Sequence, residues 1–111
     1  MLDRAHRLAL PTDFRRIIRR GTKQTSSLVV AYATSSDRGL SRFGFVTSKA
    51  VGNAPTRNRV RRQLRAIAWE VRDAASADFV IRALPSAAEA SWDELHHDVS
   101  AVLASVRGTL T

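Results

Sequence analysis

Within nine positions, Arg57-Asn58-Arg59-Val60-Arg61-Arg62-Gln63-Leu64-Arg65, the chain places five arginines and one asparagine with no acid. A guanidinium is a planar fork of donors that matches phosphate oxygens, so such a run suits a polyanion. Read as a helix, the stretch carries an apolar stripe, Val60, Leu64, Ile67 and Val71, at the i, i+4, i+7, i+11 spacing of one buried face. At 100° per residue, Arg57, Arg61, Arg72, Arg65, Asn58 and Arg62 fall on one arc of roughly 140°. Like charges at i, i+4 (Arg57, Arg61, Arg65) destabilise an isolated helix, and a merely solvated face mixes signs. The face reads as one made to lie on phosphates, with Asn58 able to hydrogen-bond a base edge or a sugar hydroxyl.

A second constellation pairs aromatic rings with cations. Phe14 stands among Arg15, Arg16 and Arg19, and Tyr32 lies in an apolar run further on. Unpaired bases stack on aromatic rings at roughly 1–3 kcal/mol each. Plain core packing is the competing reading for Phe14.

Covalent chemistry finds no such support. There is no cysteine, which excludes disulfides and thiolate metal sites and fits a reducing compartment. A nucleophile needs a positioned base, yet His6, His96 and His97 lie near the ends of the chain. On a helix, His96 and His97 point about 100° apart and cannot share a metal; all three read as surface histidines. Asp93, Glu94 and Asp98 fit a helix start, where acids complement the dipole. No catalytic residue and no metal ligand is expected.

Charge placement sharpens the picture. Of eighteen Lys and Arg, fifteen fall in residues 1–65 with only three of the ten acids, so the net charge of +8 is concentrated in the first part of the chain. That argues for an anionic partner met by that part. No apolar run approaches the roughly 18 residues of a membrane span, and Met1 to Leu10 lacks a signal-peptide core. A cytoplasmic protein is expected.

The elements that must position these residues follow from pattern. The 111 residues, 44% apolar, suit one domain over 1–111. A first helix fits 12–20, capped by Thr12 and stopped by Gly21 in the left-handed conformation, with Phe14, Ile17 and Ile18 on one face. Leu28 to Ala33 reads as a strand, Ser35 to Gly39 as a turn, and Arg42 to Thr47 as a returning antiparallel strand. A short strand fits near 22–26. Pro55 is acceptable in the first turn of the arginine helix, which runs to about Asp73. Ala77 to Leu84 is the last strand. Ser91-Trp92-Asp93-Glu94 matches a capping box, followed by a helix with Leu95, Val99, Val102 and Val106 inward and Gly108 as its stop. Trp92 is expected to pack, and Trp69 to be half exposed or covered by the chain termini. The result is an α+β two-layer sandwich.

The run Ser48-Lys49-Ala50-Val51-Gly52-Asn53-Ala54-Pro55-Thr56-Arg57-Asn58-Arg59-Val60-Arg61-Arg62-Gln63-Leu64-Arg65 resembles the signature of the protein subunit of bacterial ribonuclease P: a lysine, Gly-x-Ala, then Arg-Asn-Arg, an aliphatic, two basics and a further arginine. Arg7-Leu8, Asp13-Phe14, Gly21-Thr22, Val29–Tyr32 and Arg42–Lys49 fall in the same order and spacing, so the likeness covers roughly residues 4–106. It implies an α-β-β-β-α-β-α fold, like a ribosomal-protein domain, with the arginine helix in a left-handed β-α-β crossover. It also implies a partner, a catalytic RNA that removes the 5′ leader of precursor tRNA with Mg²⁺ held mainly by the RNA, in a 1:1 ribonucleoprotein. Lys49, Arg57, Asn58, Arg59, Arg61, Arg62 and Arg65 would meet the catalytic RNA. Phe14, Ile18 and Tyr32 would meet the leader in a cleft between the first helix and the sheet. Ile18 departs from the pattern by replacing an aromatic, Ala50 a second lysine, and Pro55 an aliphatic. The alternative is a ribosomal or RNA-chaperone-type RNA-binding protein, which leaves the ordered Lys-Gly-Ala-Arg-Asn-Arg run unexplained.

Overall fold

A computed structural model describes residues 2–110. In chain order it contains α1 (Pro11–Arg20), β1 (Thr22–Thr25), β2 (Val29–Ser35), β3 (Arg42–Val46), α2 (Ala54–Glu70), β4 (Ala77–Ala83) and α3 (Trp92–Gly108), with short 3-10 turns at Arg4–His6, Lys49–Val51 and Pro85–Ala88. This is the expected α-β-β-β-α-β-α order, including the short strand after Gly21.

The strands form one mixed sheet in the order β1-β2-β4-β3. β4 is the inserted central strand: it pairs antiparallel with β2 and parallel with β3. The expectation that β3 returns alongside β2 is therefore corrected. The two run in opposite directions but never touch as a pair, because β4 comes between them. Burial explains the choice. Asp78 to Ile81 is buried on both faces, and a strand buried on both faces belongs in the middle of a sheet. The outer edge of β3 is covered by the N-terminal segment, where Arg7 bridges to Phe43 and Leu8 N–H donates to the Phe43 carbonyl at 2.9 Å.

Alternation along the strands divides the core in two. Val29, Ala31, Ala33, Phe43, Phe79 and Ile81 face α2 and α3, where Val60, Leu64, Ile67, Leu95, Val99, Val102 and Val106 meet them. Phe43 and Phe79 stack there with ring centroids 5.1 Å apart. The opposite face carries Val30, Tyr32 and Val80, which pack with Leu8 and Ile17 under α1.

Helix ends differ from the sequence reading in detail. α1 begins at Pro11, with Leu10 at the cap, and Thr12 makes no capping bond; proline presets the first turn instead. Gly21 sits at φ −74°, outside the left-handed region. Its small size matters because a Cβ there would lie 2.5 Å from the Ile17 carbonyl oxygen and 2.7 Å from that of Ala33. α2 stops at Glu70, and Val71 is only half-buried. α3 opens on the expected capping box of Ser91 and Glu94; Gly108 is its last residue rather than a left-handed stop. Trp92 is more open than expected, 41% exposed, with its ring against His96 at 5.5 Å.

The layers are tied by one buried carboxylate. Asp78 in β4 is 2% exposed. Arg42 of β3 donates to both its oxygens, Nε to Oδ1 at 2.9 Å and a terminal nitrogen to Oδ2 at 2.8 Å, and Arg16 of α1 reaches Oδ2 at 3.2 Å. Burial alone would raise the Asp78 pKa; hydrogen bonding and charge from Arg42, then Arg16, outweigh it and hold the carboxyl below its ordinary value. A carboxylate with a depressed folded pKa contributes stability above its unfolded pKa and loses it as pH falls through the folded one. Breaking such a pair leaves a guanidinium uncompensated and costs about 3–5 kcal/mol. Asp78→Asn should lower unfolding stability in urea at pH 7 by about that amount. It should also flatten the loss of stability on acidification below about pH 4. A variant as stable as the parent at pH 7 would remove Asp78 from this role.

Candidate nucleic-acid interface

α2 is presented by a tight entry. Gly52 lies at φ 152°, a left-handed backbone, and a Cβ there would press within 3.0 Å of the Thr56 methyl. Asn53 then caps the helix, its Oδ1 accepting the Thr56 N–H at 3.0 Å. Val51, buried, anchors the turn that leaves Lys49 exposed. Val60, Leu64 and Ile67 fix the helix to the core at 0–1% exposure.

The expected arc forms, with two adjustments. Asn58 and Arg62 are exposed, while Arg57, Arg61 and Arg65 lean along the surface, half-buried. Arg61 is splinted by Asn58 Oδ1 at 3.0 Å and Thr47 Oγ1 at 2.7 Å, both neutral acceptors that leave its charge unmatched. Arg59 lies on the other flank, with one terminal nitrogen donating to the Ala88 carbonyl. Arg72 leaves the arc: it lies past the end of α2, 3.5 Å over the Trp69 ring, and donates to the Trp69 carbonyl at 2.6 Å. Trp69 is half-covered, packed against the main core on one side and under the Arg72 guanidinium on the other.

At the β3 edge three guanidiniums converge. Arg7, Arg61 and Arg65 line a hollow of about 120 Å³ whose walls are Leu8, Phe14, Phe43, Gly44 and Phe45. Arg65 Nε is buried there without a hydrogen-bond partner among the described residues. Burial, then the charges of Arg61 and Arg7, push the Arg65 pKa down. Among the described residues lining this corner none is acidic, and it faces both the arginine helix and the α1 cleft.

The cleft itself lies on the sheet face under α1. The Phe14 ring rests on Gly44, where an added Cβ would come within 2.4 Å of the ring. Ile18 is 40% exposed, so it does not share the buried face of Ile17. Tyr32 is 6% exposed. It forms the floor among Ile17, Val30 and Val80, and little of its ring is open in the free protein. Lys23 stands opposite Tyr32 in register, and exposed Arg82 opposite Val30, on the same face. Arg7, Lys23 and Arg82 were absent from the expected site. Only strand register and the β3 edge reveal them, since each is an isolated cation in the sequence.

A family model described as Ribonuclease P matches residues 2–107. Similar proteins named ribonuclease P protein component include one from Kocuria rhizophila, 46% identical and covering 96% of this chain and 97% of the relative. One from Corynebacterium diphtheriae is 47% identical, covering 93% and 94%. The chain belongs to the ribonuclease P protein family. Among solved structures, the RNase P protein of Staphylococcus aureus superposes with a TM-score of 0.85 at 24% identity, over 94% of this chain and 97% of that one. That of Thermotoga maritima gives 0.77 at 21%, over 92% and 96%; at these identities the likeness speaks for the fold.

Among the described residues no group of three or more His, Asp or Glu is placed to hold a metal ion. His96 pairs with Glu70 at 2.8 Å, and His6 lies between Asp3 and Asp73. Among the described residues no helix is long and apolar enough to cross a membrane.

The Phe14–Gly44 seat is testable. Gly44→Ala should displace the ring and cost about 1–3 kcal/mol in a denaturant melt. The cost should largely vanish in a Phe14→Ala background, because the clash has lost one partner. Additive costs in the double variant would show that the two positions are uncoupled.

Proposed function

We propose that the protein is the RNA-binding subunit of ribonuclease P: it docks on the catalytic RNA and holds the 5′ leader of precursor tRNA while the RNA removes that leader. The observation that carries the reading is the arginine face of α2, which makes no ion pair among the described residues and is continuous with the Arg7–Arg61–Arg65 corner, in a chain of this family. Lys49, Arg57, Asn58, Arg61, Arg62 and Arg65 contact the catalytic RNA, and Arg59 does so from the opposite flank. Phe14 and Ile18 form the wall on which leader bases lie, with Tyr32 as floor beneath them. Arg82 and Lys23 meet leader phosphates.

The division of labour follows from the side chains. Mg²⁺, held mainly by the RNA, would supply the hydrolytic chemistry; among the described residues no group of three or more His, Asp or Glu is placed to hold it. The protein binds, orients and neutralises phosphate charge, and endonucleolytic catalysis belongs to the RNA. The working unit is the cytoplasmic 1:1 complex.

Changing Arg57, Arg61 and Arg65 together to Ala removes up to three phosphate contacts. Affinity for the catalytic RNA should fall, and the slope of log K against log salt should become shallower by roughly 2–3 units. The melting temperature should hold or rise, because repulsion between like charges is relieved. An unaltered slope in a folded variant would refute the assignment of this face.

The leader surface needs a different comparison. Ile18→Ala removes an exposed side chain, so its effect on folding should be small. Phe14→Ala removes a stacking platform worth roughly 1–3 kcal/mol per base. Both should weaken precursor tRNA binding by the assembled enzyme while leaving mature tRNA binding and assembly intact. Tyr32→Ala is less informative than its type suggests, since emptying a buried ring site costs about 3–5 kcal/mol of stability. Equal losses for precursor and mature tRNA would show that the cleft does not hold the leader.

A further inference from the structure

α1 has a second face, turned away from the cleft. Taking buried Ile17 as the inward direction, Phe14 and Ile18 lie at about 60° and 100°, on the cleft flank. Arg15, Arg19, Thr12, Arg16 and Arg20 follow in that order from about 160° to about 300°. The same five residues line an open groove of about 340 Å³. Only Arg16 is spoken for, held by Asp78, Asp13 and Thr34. Arg15, Arg19 and Arg20 are exposed and make no ion pair or hydrogen bond through their side chains among the described residues. Arg15 and Arg19, and Arg16 and Arg20, are i, i+4 like-charge pairs, an arrangement that weakens the helix unless an anion offsets it.

This face is separate from the α2 interface. Arg16 reaches Asp78, which is level with Arg42 at the start of β3, whereas Arg61 reaches Thr47, just past the end of β3. The two ends of that strand are about 13 Å apart, so one phosphate cannot serve both faces. The chemistry also differs from the cleft. Single-stranded RNA sites combine cations with stacking platforms, and no aromatic or aliphatic side chain lies on this arc. Cations alone, on a rigid helix, suit the backbone of double-helical RNA, which proteins meet through phosphates and shape.

We infer that Arg15, Arg19 and Arg20 form a second docking face for the catalytic RNA, gripping the phosphate backbone of one of its double-helical segments. The inference rests on the proposed function. Once α2 has bound, any duplex of the same RNA that reaches α1 is presented at high effective concentration. Free tRNA has no such advantage.

The test is a triple variant, Arg15→Gln, Arg19→Gln and Arg20→Gln, with Arg16 kept because it holds Asp78. A matching triple Ala variant guards against an effect peculiar to glutamine. Both should melt at or above the parent temperature. Each should bind the catalytic RNA with a log K against log salt slope shallower by roughly 2–3 units. Precursor and mature tRNA binding by the fully assembled enzyme should be unchanged. A parental slope in a folded variant overturns the inference. So does normal assembly with weakened tRNA binding, which would assign the face to the substrate. If the Arg57, Arg61 and Arg65 variant loses the catalytic RNA while the α1 variants keep it, only the second face falls. If the parent protein fails to bind the catalytic RNA at all, the proposed function falls with it.

Discussion

The Asp78 carboxylate is the contact on which the placement of both outward flanks of α1 depends. It sits at the start of β4, the strand inserted between β2 and β3, and joins Arg42 on the neighbouring strand to Arg16 on the overlying helix. A charge so thoroughly removed from water is unfavourable unless its lone pairs are filled. Here three guanidinium donations fill them, and in doing so they fix how α1 crosses the sheet. With Arg16 turned down toward Asp78, the helix must aim Phe14 and Ile18 toward the opposite flank. The cleft wall and the outward arginines of α1 are thus two consequences of one anchored side chain.

Most of the architecture was legible because strong local signals agreed. The capping box at Ser91, the Val60-Leu64-Ile67 stripe and the order of helices and strands all follow from spacing alone. Pairing was not. Val29 to Ala33 and Phe79 to Ile81 are both continuous apolar runs, which mark strands buried on two faces. Chain order suggests a β2–β3 hairpin, but placing the run 79–81 at an edge would expose it. Insertion of β4 is the solution that hides both runs. The cap of α1 departs from its sequence pattern for a local reason: a threonine beside a proline looks like a cap, yet proline at the first helical position already sets the turn.

The candidate site was legible where chemistry is carried by consecutive residues and illegible where it is assembled across the fold. The arginine run is assigned to a helix face by spacing alone. Arg7 gained its meaning only when the N-terminal segment paired with the β3 edge and brought it beside Arg61 and Arg65. Arg72 shows the reverse. It has the right angular position on an ideal helix, but α2 ends two residues earlier and the guanidinium settles on Trp69. Tyr32 is intermediate: its type suggests a stacking platform, and its neighbours turn it into a floor.

Magnitudes explain how the chain tolerates so much uncompensated charge. Each i, i+4 repulsion on α2 costs a few tenths of a kcal/mol. The helix dipole adds a similar amount against Arg57 and Arg59 near its positive end. Burying Val60, Leu64 and Ile67 returns roughly 1.5–3 kcal/mol apiece, and the Asn53 cap adds about one more. The anchor therefore exceeds the repulsion several-fold, and the helix stays folded while its outer face remains short of anions. Local rules for helices favour acids in the first turn; α2 has none there, and no residue of the last turn is basic. Violations of local preference that the core can absorb are where a binding surface is expected. In this protein they fall on the residues that face outward.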